Sequence, residues 1–166
     1  MKQKMAKCCA VFTGPTIFGR INLSQTAEDE PTIIIGTLKG LQAGNHGISI
    51  HCFGDQDNVG PIFNPFRKPH GHPHSEERRV GNLGNISVMS SKCANTEEME
   101  STHVHLSDNL VKLIGPFSVI GRSIVIYEGE DDFGLGDKEL SLYDGNCGAK
   151  LGVAVIGIST LIGEDE

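Results

Sequence analysis

Short β-branched runs, each closed by Gly, Asn, Asp or another turn-former, constrain this chain more than any other feature. "TIFGRINL", "TIIIGTL", "GISIHCF", "NISVMS", "THVHLS", "LVKLIG", "SIVIYE" and "GVAVIGIS" follow one another, none longer than eight residues. Several alternate apolar with polar residues, as strands with one buried face do. No segment carries a 3.6-residue apolar stripe over three turns. The pattern predicts an all-β fold, an eight-stranded antiparallel sandwich or barrel. Residues 54–85 and 128–150 interrupt the spacing with long loops rich in Gly and charge, and 90–101 reads as a polar insertion. Loops of that length in a compact domain are usually functional or disordered. There is no repeat and no linker, so 1–166 reads as a single domain.

The formal charge of −7, without a basic cluster, argues against nucleic acid and against an anionic membrane surface as partners. No apolar run approaches the roughly 20 residues that cross a bilayer. The start, "MKQKMAKCCAVF", is basic, but its apolar part is too short for a secretion signal, which predicts a cytoplasmic protein. Five cysteines, an odd number, argue against a full disulfide framework and read as small buried thiols; one disulfide stays open.

"GISIHCFGD" poses a chemical question. Ser49 and His51 are two apart in a strand and face one side, so a metal site there would want a ligand at both, yet only one is a histidine.

The segments "GNHGISIHCFGD", "GPIFNPFRKPHGHPHSEERRVGNLGN", "IGRSIVIYEGEDDFGLG" and "GNCGAKLGVAVIGIS" resemble, in order and spacing, the copper-zinc superoxide dismutase family. The resemblance runs from about Ala10 to Ser159. It implies a Greek-key β-barrel with one metal-binding and one electrostatic loop. Matched residue by residue, it puts Ser49 where the family has a copper histidine and retains His51 as the next. Ile62 stands at the bridging histidine, and His70 keeps a zinc-histidine position. Arg79 and Asn82 replace a zinc histidine and the zinc aspartate, and Tyr127 replaces the last copper histidine. Asp131 matches the aspartate that links the two sites, free to accept from His70 and from Ser49. Lys150 matches the arginine that guides the substrate anion. The loop cysteine is missing and its partner position is Val153, so the family's disulfide is expected to be absent.

On this reading His51 is alone because its site has largely gone. One imidazole beside a serine and a phenol is a poor copper field, and Arg79 puts a fixed cation at the zinc position. No cofactor is therefore expected at full occupancy, with residual zinc or copper left open. His46, His72 and His74 could join His51 and His70 in a rearranged site. His103 and His105 share a face of another strand, where an exposed polar pair is the simpler reading. The resemblance also implies a dimer surface at Phe53, Gly54, Ile120, Gly121, Ile156 and Ile158. A homodimer is expected, with a heterodimer with a dismutase subunit or its copper chaperone as the other option. The functional expectation is a non-catalytic binding or regulatory member of the family. The alternative is a divergent dismutase, turning two superoxide ions and two protons into oxygen and hydrogen peroxide, or a metal-binding redox protein.

Overall fold

The computed structural model describes residues 5–89 and 101–159. In chain order it contains strands β1 (Ala6–Thr13), β2 (Phe18–Gln25), β3 (Thr32–Lys39), β4 (Gly44–His51), β5 (Asn82–Val88), β6 (Ser101–Asp108), β7 (Ser123–Tyr127) and β8 (Lys150–Ile158). A short helix, α1 (Glu139–Asp144), lies between β7 and β8. The strands are hydrogen-bonded in the order β5-β4-β7-β8-β1-β2-β3-β6, every pair antiparallel. The edge strands β5 and β6 approach each other, and the sheet curls into a nearly closed barrel. The expected all-β architecture is therefore the one adopted.

Two strands differ from the sequence reading. "LVKLIG" is not a strand. Val111 and Leu113 are buried, but they sit in a loop held by side chains: Thr32 Oγ1 donates to Val111 O (2.7 Å), and Gln25 Oε1 accepts from Leu113 N (2.8 Å) and Ile114 N (3.0 Å). The eighth strand is β1, whose segment is not among the strand runs read from the sequence. It pairs with β2 along its whole length and with β8 at Cys8–Ala10. Cys8, Ala10 and Phe12 point into the core from it.

Period-2 burial holds where one sheet face meets solvent. In β3, Thr32, Ile34, Gly36 and Leu38 turn inward. In β6, Thr102 and Val104 turn inward, while His103 and His105 are exposed. It breaks in β7, which is buried throughout, and in β4 from His46 to His51. Ile48, Ile50, Ile124 and Ile126 supply the barrel core. Their neighbours Ser49, His51, Val125 and Tyr127 must point outward, yet they are covered as well. Val59 and Cys147, one from each long loop, pack on Val125 and Tyr127. The two loops thus form a second layer over β4 and β7, and the candidate site lies beneath it. Asn82, the first residue of β5, is buried under the same cover.

Candidate metal centre

The register brings Ser49 opposite Val125 and His51 opposite Ser123. His51 is almost fully buried. Its Nδ1 lies 2.6 Å from Gly60 O and its Nε2 2.6 Å from Tyr127 Oη. A carbonyl can only accept, so Nδ1 carries the proton. Nε2 is then the acceptor and the phenol the donor. Burial lowers the His51 pKa, the Gly60 bond opposing it, and burial raises that of the Tyr127 phenol. Both causes favour uncharged rings. Ser49 Oγ is buried close enough to Tyr127 to favour the phenolate, but it has no partner in hydrogen-bond geometry. Ile62, bridged to His51 through the backbone, is buried beside them.

The neighbouring cluster is polar and closed. His70 Nε2 donates to Asp131 Oδ1 (2.7 Å), and Asn82 Nδ2 donates to His70 Nδ1 (2.7 Å). Asp131 is fixed in turn: its Oδ1 accepts from Phe133 N (2.8 Å), and its backbone N–H donates to Asn85 Oδ1 (2.8 Å). The expected bond from Ser49 to Asp131 does not form; Asp131 serves the His70 side alone. Among the described residues the Arg79 guanidinium makes no hydrogen bond to this cluster and donates to the backbone oxygens of Leu142 and Tyr143.

The rearranged histidine site is not assembled. His46 is buried against two backbone oxygens, Tyr127 O and Gln42 O, each 2.9 Å from a ring nitrogen. It ties β4 to β7 and is turned away from any shared ligand point. His72 and His74 are exposed, their ring centres 5.1 Å apart, with His72 edge-on to Phe133. Among the described residues no group of three or more His, Cys, Asp or Glu side chains is arranged to hold a metal ion. His103 and His105 lie on the outer face of β6, the Nδ1 of His103 3.4 Å from Thr37 Oγ1.

Lys150 is exposed and lines an open hollow of about 390 Å³ with residues 56–61 and Tyr143. Among the described residues Cys8, Cys9, Cys52 and Cys147 are free thiols. At the expected dimer surface, a Cβ on Gly54 would lie 2.4 Å from Gly121 O, and Gly121 N–H donates to Ile156 O. Phe53, Ile120 and Ile158 are exposed there. Ile156 is fully buried in the barrel core and does not belong to that surface. Along β8 the faces alternate, so Ile156 turns inward with Ala154 while Val155 and Gly157 turn outward, and Ile158 is exposed as the last residue of the strand. Sequence reasoning missed the role of Arg79 toward α1, because nothing local marks that short helix.

The matched positions do not fit a copper and zinc pair in this arrangement. Both ring nitrogens of His51 and both of His70 are engaged by protein groups, and the other five positions offer a hydroxyl, an alkyl chain, a guanidinium, an amide and a phenol.

A family model, copper/zinc superoxide dismutase (SODC), matches residues 17–156. Superoxide dismutase [Cu-Zn] 5 of Dictyostelium discoideum is 40% identical over 95% of this chain and all of its own length. The superoxide dismutase [Cu-Zn] of Cryptococcus neoformans var. grubii is 41% identical over 94% of this chain and all of its own. A putative superoxide dismutase [Cu-Zn] of Orgyia pseudotsugata multicapsid polyhedrosis virus is 45% identical over 84% of this chain and 90% of its own. The expectation that no cofactor is held at full occupancy is corrected by these matches: copper and zinc are the cofactors of the matched family and stand in the names of all three relatives. With that match over most of its length, the chain belongs to the copper/zinc superoxide dismutase family.

Proposed function

We propose that this chain is a superoxide-dismutase-like binding or regulatory protein that does not turn over superoxide at the matched centre. One observation carries the reading: His51 Nε2, which stands at a copper-ligand position, is taken up at 2.6 Å by the phenol of Tyr127, itself at another. The apolar surface at Phe53, Ile120 and Ile158 supports association with a second copy, and a dismutase subunit or its copper chaperone is the other candidate partner. Free thiols at Cys8, Cys9, Cys52 and Cys147 support a reducing, cytoplasmic setting.

The second reading is a divergent dismutase, favoured by identity of 40–45% to relatives bearing that name. Superoxide consumption by protein supplied with copper and zinc separates the two. The first reading expects a rate that His51→Ala leaves unchanged. A rate within a few tenfold of the diffusional ceiling of roughly 10⁹ M⁻¹s⁻¹, lost on His51→Ala, establishes the second.

A further inference from the structure

We propose that Tyr127 and His51 form a proton-coupled one-electron donor, in which Tyr127 gives its electron to an oxygen-centred radical of the peroxyl class while His51 Nε2 takes the phenol proton. This goes beyond binding and does not depend on it.

Geometry assigns the proton path. His51 Nδ1–H is committed to Gly60 O, so the lone pair of Nε2 is presented to Tyr127 Oη at 2.6 Å. A phenol radical cation is a very strong acid, and oxidation of a buried phenol is costly unless the proton leaves with the electron. Here the acceptor is already in hydrogen-bond contact, and its ring is fixed at both nitrogens. Burial works against the imidazolium that results, with Lys150 adding to that cost, while the Gly60 bond and Asp144 favour it. The pair sits under a layer containing Val59, Cys147 and Val153, which shields a phenoxyl from coupling to a second phenol. The Gly60 carbonyl that orients His51 belongs to a residue on the wall of the hollow lined by Lys150, so an oxidant entering there is separated from the pair by a short span.

The Tyr127 O–H bond breaks and an Nε2–H bond forms on His51. Tyr127 loses one electron and becomes a phenoxyl. The peroxyl radical gains that electron, takes a solvent proton and becomes a hydroperoxide. A one-electron reductant of the ascorbate class returns the electron, and the proton moves back from Nε2 to the oxygen.

The chain has two tyrosines and no tryptophan, so the radical can be assigned cleanly. Tyr143 is exposed, and Tyr143→Phe leaves Tyr127 as the only phenol. In that background, hexachloroiridate(IV) mixed with the full chain is expected to give a phenoxyl signal by electron paramagnetic resonance. Adding Tyr127→Phe should abolish it. His51→Gln should slow its appearance by roughly a hundredfold, within the range a positioned base contributes. The rate in the parent background should also fall in deuterated water. A phenoxyl that fails to form in the Tyr143→Phe protein, or forms equally fast with His51→Gln, overturns the proposal. If His51→Gln does not fold, the deuterium comparison decides, and an unchanged rate overturns it.

Discussion

Arg79 caps a helix to which it does not belong: its Nη2 donates to Leu142 O at 3.1 Å, and its Nη1 donates to Tyr143 O. Helix α1 has no basic residue in its last turn. Its four terminal carbonyls nevertheless all find donors. Ser141 O accepts from Gly145 N–H and Asp144 O from the Cys147 thiol, while Arg79 supplies the other two. Gly145 makes the first of these contacts from a left-handed backbone, φ 75°. A cation at the end of a helix dipole thus links the loop before β5 to the loop before β8. Arg79→Met should cost about 1–2 kcal/mol, since hydrogen bonds to a charged group are lost at a partly exposed site. Amide exchange in Glu139–Asp144 should quicken while β3 and β7 stay protected. Unchanged exchange in α1 would show that the contacts hold nothing.

The buried pair Arg78 and Asp108 predicts a larger effect. Arg78 Nη2 lies 2.7 Å from Asp108 Oδ2, with both side chains nearly inaccessible. Arg78 Nη1 also donates to Asn82 O (3.0 Å), and Asp108 Oδ1 accepts from Leu110 N and Val111 N. Removing either partner leaves a buried charge unmatched, at a cost of about 3–5 kcal/mol. Asp108→Ala should therefore lower stability in urea by about that amount. Arg78→Met with Asp108→Ala should cost less than the two single changes added. Simple additivity would mean that the two charges do not depend on each other.

Stability should fall on both sides of neutrality through groups in the covered layer. Burial lowers the His51 pKa, so the unfolded chain takes up this proton more readily. The His51 contribution is present above about pH 6.5 and declines as pH falls below it. Burial raises the pKa of Tyr127 and of Cys147, so here the unfolded chain ionises first. Those contributions are complete below about pH 8.5 and decline as pH rises, the thiol first and the phenol from about pH 10. Urea titrations of the parent and of Tyr127→Phe at about pH 7 and about pH 10.5 should show a smaller alkaline loss in the variant. Equal losses in both would place the alkaline sensitivity elsewhere.

The sheet was legible in the sequence because β-branched runs between turn residues specify strands wherever they occur. The identity of one strand was not. "LVKLIG" has strand composition, but its apolar residues plug the loop before β7, tied there by Gln25 and Thr32 from distant strands. β1 carries two adjacent cysteines and lysines that masked the inward row Cys8, Ala10 and Phe12. At the site, alternation placed Ser49 and His51 on one side, but it carries no sign of what covers that side. Only the covering loops make it an interior. The phenol–imidazole contact follows from two loop-dependent facts, the Gly60 carbonyl and the burial of Tyr127, and neither leaves a local signature. The helix α1 has six residues and no apolar stripe facing a core, so periodicity could not find it.

Ile158 keeps 81% of its surface exposed and Phe53 keeps 51%. Ile120 lies in the same patch, joined by the close approach of Gly54 and Gly121. These side chains come from the end of β4, the loop before β7 and the end of β8, so the patch exists only in the folded barrel. A two-fold contact lets identical apolar patches cover one another, which a lone chain cannot do. A carboxylate placed in that contact would lose its water without gaining a partner, at a cost of several kcal/mol. Ile158→Asp should therefore sediment as a monomer with strand content unchanged, while the parent sediments as a dimer at tens of micromolar. Association near 8 kcal/mol gives mostly dimer there, since it corresponds to a Kd of about 1 μM. A parent that is monomeric at that concentration rules out self-association of this strength. The patch then needs a different protein to cover it, and mixing with a dismutase subunit at the same concentration is the next measurement: a shared sedimenting species assigns the patch to that partner, and two independent boundaries remove it from consideration.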